Sequence, residues 1–272
     1  MIKNKKTKIV IQACTILFAT MSVALYIVGC SSALVFRVAT NAFFAPFEYF
    51  EKGEYKGIDI DIANIIAQRL DMRLEISDME FDSVLASVVS GNTDIGMAGL
   101  TATPTREKVV DFTIPYFDSG QTIITSFVDK SFDELESIED SEERYRSTIE
   151  ILSQKRIGVI GGFVGESFVD GDQDWGFDGI PDATKVVYNN SSLAVISLQN
   201  SQIDCIILDT IVSERLVKNN IDKIKLVNIQ LTEEKNVFVI QKGNKKLKEQ
   251  VDQIIEDLMN SSQLDEIIDK YF

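Results

Sequence analysis

The sequence predicts an α/β protein with mainly parallel sheets. Short β-rich runs alternate with stretches of helical periodicity from about residue 34 to the end, the pattern of strand–helix–strand units. Helix boundaries are marked as well. Thr103-Pro104 reads as an N-cap followed by proline at the first helical position, and Gly91 reads as a stop. The composition, 45% hydrophobic and 25% charged, is that of a folded chain. A length of 272 residues suits one large or two medium domains, each able to bury its own core.

The elements follow in order. Leu34-Ala39 is a short β-rich run, and Ile60, Ala63, Ile66, Ala67 and Leu70 recur at helical spacing. Leu74-Ile76 is a strand. Asp82 is placed to cap a short helix carrying Val84, Leu85, Val88 and Val89. Thr93-Ala98 and Gln121-Phe127 are further strands. Asp129 to Arg146 is dense in acids and reads as a solvated helix or an insertion. The alternation resumes with strands Arg156-Ile160 and Lys185-Tyr188, a helix Leu193-Gln199 capped by Ser191, strand Ile203-Leu208, helix Thr210-Lys218, strand Val237-Gln241, and closing helices Leu247-Met259 and Leu264-Tyr271.

The N-terminus is of another kind. Lys3, Lys5, Lys6 and Lys8 precede an uncharged run, Ile9 to Val28, the charged-then-apolar pattern of a secretory signal over residues 1–29. The run ends Gly29-Cys30-Ser31, which resembles the lipobox of bacterial lipoproteins, so Cys30 is the expected lipidation site. An uncleaved anchor helix is the alternative, because about 20 apolar residues can cross a bilayer.

Composition narrows the chemistry. A net charge of −15 argues against nucleic acid, whose phosphates call for basic clusters. The chain has no histidine, which removes Ser-His-Asp and Cys-His catalysis and histidine metal sites. Of three cysteines, Cys14 leaves with the signal and Cys30 is acylated. Cys205, in an apolar run, is then a buried structural thiol.

Three segments carry a resemblance. Gly57-Ile58-Asp59-Ile60-Asp61-Ile62, with Ile66, Ala67 and Leu70, is similar to a pattern of the family 3 extracellular solute-binding proteins, the polar amino-acid receptors of bacterial ABC importers. Ala45-Pro46-Phe47-Glu48-Tyr49 resembles an upstream segment of that family. Ala98-Gly99-Leu100-Thr101-Ala102-Thr103-Pro104-Thr105-Arg106 resembles a downstream one, continued by Asp111-Phe112 and Pro115-Tyr116-Phe117. The likeness runs from about Phe36 to Phe272. It implies a two-lobed periplasmic-binding-protein-like fold of type II, with a ligand cleft between lobes joined by two crossing segments. The first lobe is expected at 31–120 plus 227–272 and the second at 121–226, with crossings near Asp118-Gln121 and Val227-Thr232.

The chemistry is consistent with that implication. A free α-amino acid is a zwitterion, and burying it requires a partner for each charge. Arg106 offers a planar fork for a carboxylate. Asp209 stands at the carboxyl end of a strand, where ligands of α/β sheets bind, and can accept from an ammonium group. Taken alone, Arg106 reads as a surface residue and Asp209 as a helix N-cap. The resemblance implies the ligand roles. It also implies contacts from the Gly99 backbone and the Thr101 hydroxyl, aromatic walls at Phe44 and Phe81, and a side-chain contact at Asn41. Gly162-Phe163-Val164 departs from the Gly-Thr-Thr of many relatives, so the missing hydroxyl leaves the Val164 N–H as a substitute.

Other motifs point to less. Gly161-Gly162 lacks the Lys-Ser or Lys-Thr of a phosphate loop. Asp170, Asp172 and Asp174 alternate as in a calcium loop, but Trp175 stands where a glycine belongs and no glutamate closes it. They read as a solvated loop. No cofactor and no metal are expected. The expected function is a lipid-anchored, exported, monomeric receptor. It would bind a free amino acid, with glutamine one possibility, and deliver it to a membrane permease driven by an ATPase. The alternatives are an amino-acid-sensing receptor domain and a dehydratase-type enzyme on the same fold.

Overall fold

The computed structural model describes residues 34–272. The signal segment 1–29 and Cys30 lie outside the described residues. Among those described, no helix is long and apolar enough to cross a membrane.

Two five-stranded sheets share one topology. The first runs, edge to edge, Arg73–Asp78, Val35–Thr40, Ile95–Gly96, Val239–Gln241, Val110–Phe112; the second runs Thr184–Tyr188, Arg156–Ile160, Cys205–Asp209, Gln121–Ser126, Ile224–Val227. The first three strands of each are parallel. The fourth is antiparallel to both of its neighbours. In each sheet that fourth strand follows a crossing from the other lobe, which explains why it breaks an otherwise parallel pattern.

The crossings pair with each other. Phe117–Ser119 and Glu234–Asn236 form a two-stranded antiparallel ribbon, in register Glu234 with Ser119, Lys235 with Asp118 and Asn236 with Phe117. The sequence expects the second crossing at Val227-Thr232. There the chain still belongs to the second sheet: Thr122 donates its hydroxyl to the Ile229 carbonyl at 2.8 Å, and the Leu231 N–H bonds the Gln121 carbonyl at 2.8 Å.

Helices cover the sheets through their apolar stripes. Ile58–Arg69 buries Ile60, Ala63, Ile66 and Ala67, the periodicity legible in the sequence, together with Ile58 and Ile62. Lys245–Asn260 buries Val251, Ile254, Ile255 and Leu258 beside it. The acidic segment becomes a short 3₁₀ turn, Asp133–Ser137, and a helix, Ser141–Leu152, whose N-cap Asp140 accepts the Glu143 N–H at 2.8 Å. Leu135 and Leu152 drop from it into the core of the second lobe. Cys205 is buried and free, and burial pushes its thiol up.

Local differences have local causes. Asp82 is not a cap: the helix spans Phe81–Val89 and Glu80 holds the N-cap position. Asn190, not Ser191, caps the next lobe's helix, accepting the Leu193 N–H at 3.1 Å. The strand expected over Thr93-Ala98 shrinks to Ile95–Gly96: before it the Thr93 hydroxyl turns back to Ser87 at 3.0 Å, and after it the chain turns at Gly99, φ +55°. A three-stranded meander over Phe43–Phe44, Glu48–Glu51 and Glu54–Lys56 carried no clear sequence signal.

Candidate functional site

The loops that leave the carboxyl ends of strands in both sheets meet between the lobes. One cavity there is lined by Phe81, Gly99, Thr101, Arg106, Phe163, Val164 and Asp209. Six of the eight ligand-binding residues singled out by the sequence are in this lining. Its free volume is about 10 Å³, enough for about one water. A larger cavity, about 400 Å³, lies against helix Ser141–Leu152 beside Tyr145, Ile149, Phe168 and Pro181, and none of the sequence-derived site residues reaches it.

Arg106 is placed by its own short helix. Thr103 caps Pro104–Glu107 by accepting the Arg106 N–H at 3.2 Å, as the Thr-Pro pair predicts. Nη1 donates to the Thr101 carbonyl at 2.8 Å and Nη2 to the Gly162 carbonyl of the other lobe at 2.9 Å. The guanidinium carbon sits 5.4 Å from the Phe81 ring centre, a cation–π distance. The residue as a whole is half-buried, but its charged head is enclosed. Desolvation lowers its pKa to about 10 despite the carboxylates of Glu234, Asp209 and Asp82 nearby, and it stays charged at neutral pH.

Asp209 ends the strand Cys205–Asp209 and precedes the helix Thr210–Asn219. It occupies the N-cap position, yet its side chain makes no capping bond. The carboxylate is 3% exposed and accepts the Ser119 hydroxyl at 3.3 Å. Burial first, and then the Glu234 charge beside it, push the Asp209 carboxyl up to about 7.

Gly99 is held at φ +55°, and a Cβ there would stand 2.4 Å from the Phe44 ring, so only glycine allows this turn. Its N–H donates to buried Asp59 at 3.0 Å, which also accepts the Tyr116 hydroxyl at 2.6 Å. Thr101, 3% exposed, donates its hydroxyl to Glu234 at 2.8 Å. Val164 opens the helix Val164–Asp170, where the first N–H groups have no partner within the helix.

Two expected residues stand apart from the cavity lining. Phe44 packs behind Gly99 and edge-on to Phe163, 5.0 Å between ring centres. Asn41 is 5% exposed and its amide donates to the Met79 carbonyl at 2.8 Å. Two others bear on the site without having been singled out, Phe163 in the lining and Glu234 behind it. Phe163 inserts from the second lobe, 4.3 Å from the Phe81 ring. Glu234 comes from the second crossing strand. Phe163 was visible in the sequence only as a missing hydroxyl. Glu234 sits in Thr-Glu-Glu-Lys, a stretch that reads as surface.

The alternating aspartates hold three separate partners. Asp170 pairs with Lys185 at 2.5 Å, Asp172 accepts the Asp174 N–H at 3.0 Å, and Asp174 pairs with Lys108 of the first lobe. Among the described residues no cluster of potential metal ligands is present.

Residues 36–272 match the bacterial extracellular solute-binding proteins, family 3. The chain belongs to that family. It is 29% identical over 241 residues to a probable histidine-binding protein of Neisseria gonorrhoeae, covering 88% of this chain and 83% of that one. It is 27% identical over 257 residues to a putative ABC transporter arginine-binding protein 2 of Escherichia coli K12, covering 92% and 96%. Among solved structures, an ancestral arginine-binding protein bound to arginine superposes with a TM-score of 0.74 at 30% identity, over 88% of this chain and 97% of that one. This family 3 solute-binding protein therefore has the two-lobed fold of amino-acid receptors, and the family's extracellular place makes it an exported protein.

Proposed function

We propose that this family 3 solute-binding protein binds a free L-α-amino acid between its lobes and delivers it to the permease of an ABC importer. The observation that carries the reading is the convergence of Arg106 and Asp209, from different lobes, on one cavity. A zwitterion would neutralise both and so favour closure, because a ligand shifts a two-state equilibrium by its differential affinity.

Arg106 grips the carboxylate, helped by the Val164 N–H. Asp209, with Thr101 and the Gly99 backbone, takes the ammonium. Phe81 flanks the ligand side chain, with Phe44 behind it. Asn41 gives one amide N–H to the Met79 carbonyl, which leaves its Oδ1 to meet the ligand side chain. The lining leaves room for little more than water, so the amino acid enters when the lobes part. The lobes are taken as the sequence divides them, 31–120 plus 227–272 and 121–226, except that Val227 to Leu231 stays with the second sheet, and they turn on the paired strands Phe117–Ser119 and Glu234–Asn236.

The protein is read as a monomer that catalyses no reaction. It is held on the membrane by acyl chains on Cys30 after loss of residues 1–29, and works with an ATPase-driven permease. The named relatives bring arginine and histidine forward as ligands beside the glutamine expected from the sequence. A thermal-shift screen of the twenty common L-amino acids, on protein stripped of co-purified ligand, tests the reading. At least one should raise the melting temperature with the logarithm of its concentration, and a screen with no shift overturns it. Overnight incubation of the same mixtures should return the amino acid unchanged.

A further inference from the structure

Glu234 is a charged residue of the cleft with no role assigned so far. It is 4% exposed and begins the second crossing strand, directly opposite Ser119 of the first. One carboxylate oxygen accepts the Thr101 hydroxyl at 2.8 Å, and the other accepts the Thr232 hydroxyl at 2.6 Å. Ser119, across the rung, donates its own hydroxyl to Asp209 at 3.3 Å. A single rung of the ribbon thus holds Thr101 of the first lobe and Asp209 of the second.

A carboxylate only accepts, and a hydroxyl has one proton to give. With that proton directed at Glu234, Thr101 Oγ1 offers the cavity lone pairs and no donor. Gly99 is left in a similar state, its N–H bonded to Asp59 and its carbonyl remaining. Asp209 adds a third acceptor. The donors, on Arg106 and at Val164, line the same cavity. Glu234 thus sets the polarity of one acceptor, Thr101 Oγ1, from outside the lining.

We propose that Glu234 is a positioning residue that, from the hinge ribbon, fixes the Thr101 hydroxyl as a hydrogen-bond acceptor for the ligand's ammonium group. This deepens the amino-acid reading of the cleft and rests on it. Glu234 need not touch the ligand. It acts through Thr101, and because it sits on the crossing strand it links the ammonium subsite to the segment about which the lobes turn.

The test is a double-mutant cycle by titration calorimetry on the whole protein. The probe is whichever of the twenty common L-amino acids binds the wild type most tightly. Binding of none of the twenty overturns the amino-acid reading itself, a result separate from the cycle. Given binding, E234A should weaken affinity about 10- to 100-fold, the scale of a hydrogen bond to a charged group, and T101V by a similar factor. In the T101V background, E234A should cost less than about threefold, because residues acting as one unit are not additive. T101S, which keeps the hydroxyl, should bind nearly as the wild type does. If E234A does not fold, the near-isosteric E234Q completes the same cycle, with a loss of at least about threefold expected that disappears in T101V. Unchanged affinity in the Glu234 variant, or a loss of equal size with and without the Thr101 hydroxyl, overturns the proposal.

Discussion

Arg106 of the first lobe donates through Nη2 to the Gly162 carbonyl of the second, 2.9 Å away. The side chain proposed to grip the ligand is thus also a bridge between lobes. Arg106→Ala should weaken amino-acid binding by roughly 2–5 kcal/mol, since a buried carboxylate would be left without its partner. Arg106→Lys should recover little, because a point charge cannot replace a planar fork. Calorimetry checks both, and wild-type affinity in the alanine variant would remove Arg106 from the site.

Asp209 is the matching acid, and its freedom from helix capping leaves it available to a ligand. Asp209→Asn keeps the shape and removes the charge, so it should cost at least tenfold in affinity, about 1.4 kcal/mol. Helix Thr210–Asn219 should be unaffected, because the capping bond is not made in the wild type. A dissociation constant equal to that of the wild type would sink the ammonium assignment.

Binding should depend on pH through the same residue. The free protein holds a proton on Asp209 below about pH 7, and an ammonium ligand needs the ionised form. Affinity should therefore fall as pH drops from 8 to 5, approaching about tenfold per unit at the acid end. The stability of the ligand-free protein runs the other way. Asp209, and Asp59 pushed up to about 6 by burial, lie above the ordinary carboxylate value of about 3.9. Their contribution is fully present below about pH 4 and is lost as pH rises through about 6 to 7. Asp129 acts only in stronger acid: burial is its largest single influence, but the bonds from Ser131 and Thr125 and the Lys155 charge together outweigh it and hold the carboxyl at about 2. Ligand-free protein should melt higher at pH 5.5 than at pH 8. A melting temperature and an affinity that are both flat across this range would contradict the burial of these acids.

Phe163 is 7% exposed and lies between lobe-one rings, edge-on to Phe44 and tilted on Phe81. Next to it, Gly162 lies so close to Asp82 that a Cβ would stand 2.0 Å from the carboxylate oxygen. Removing the ring takes away its apolar contacts with Phe44 and Phe81 across the cleft. Phe163→Ala should therefore enlarge the radius of gyration of the ligand-free protein in X-ray scattering, by opening the lobes. It should also widen the range of amino acids bound. An unchanged scattering profile together with unchanged selectivity would show that the ring has no part in closure.

What the sequence made legible was local chemistry. Thr103-Pro104 announced the helix that aims Arg106, and the position of Asp209 after an apolar strand announced its place at the carboxyl end of a strand. The helical stripe Ile60, Ala63, Ile66 and Ala67, all buried, gave away the packing of the first lobe. Long-range features were hidden. Glu234 is buried only because its strand pairs with Phe117–Ser119, more than a hundred residues earlier in the chain, and nothing in Thr-Glu-Glu-Lys signals that. Phe163 looks like any core phenylalanine until the other lobe supplies its neighbours. The caps at Glu80 and Asn190 each lie within two residues of the expected position, the usual uncertainty of a helix boundary.

The most direct measurement is a crystal structure of the protein with its tightest-binding amino acid. The α-carboxylate should lie within hydrogen-bond distance of the Arg106 guanidinium, and the α-ammonium should meet Asp209. A ligand bound elsewhere, or one that leaves either side chain without contact, would contradict the account.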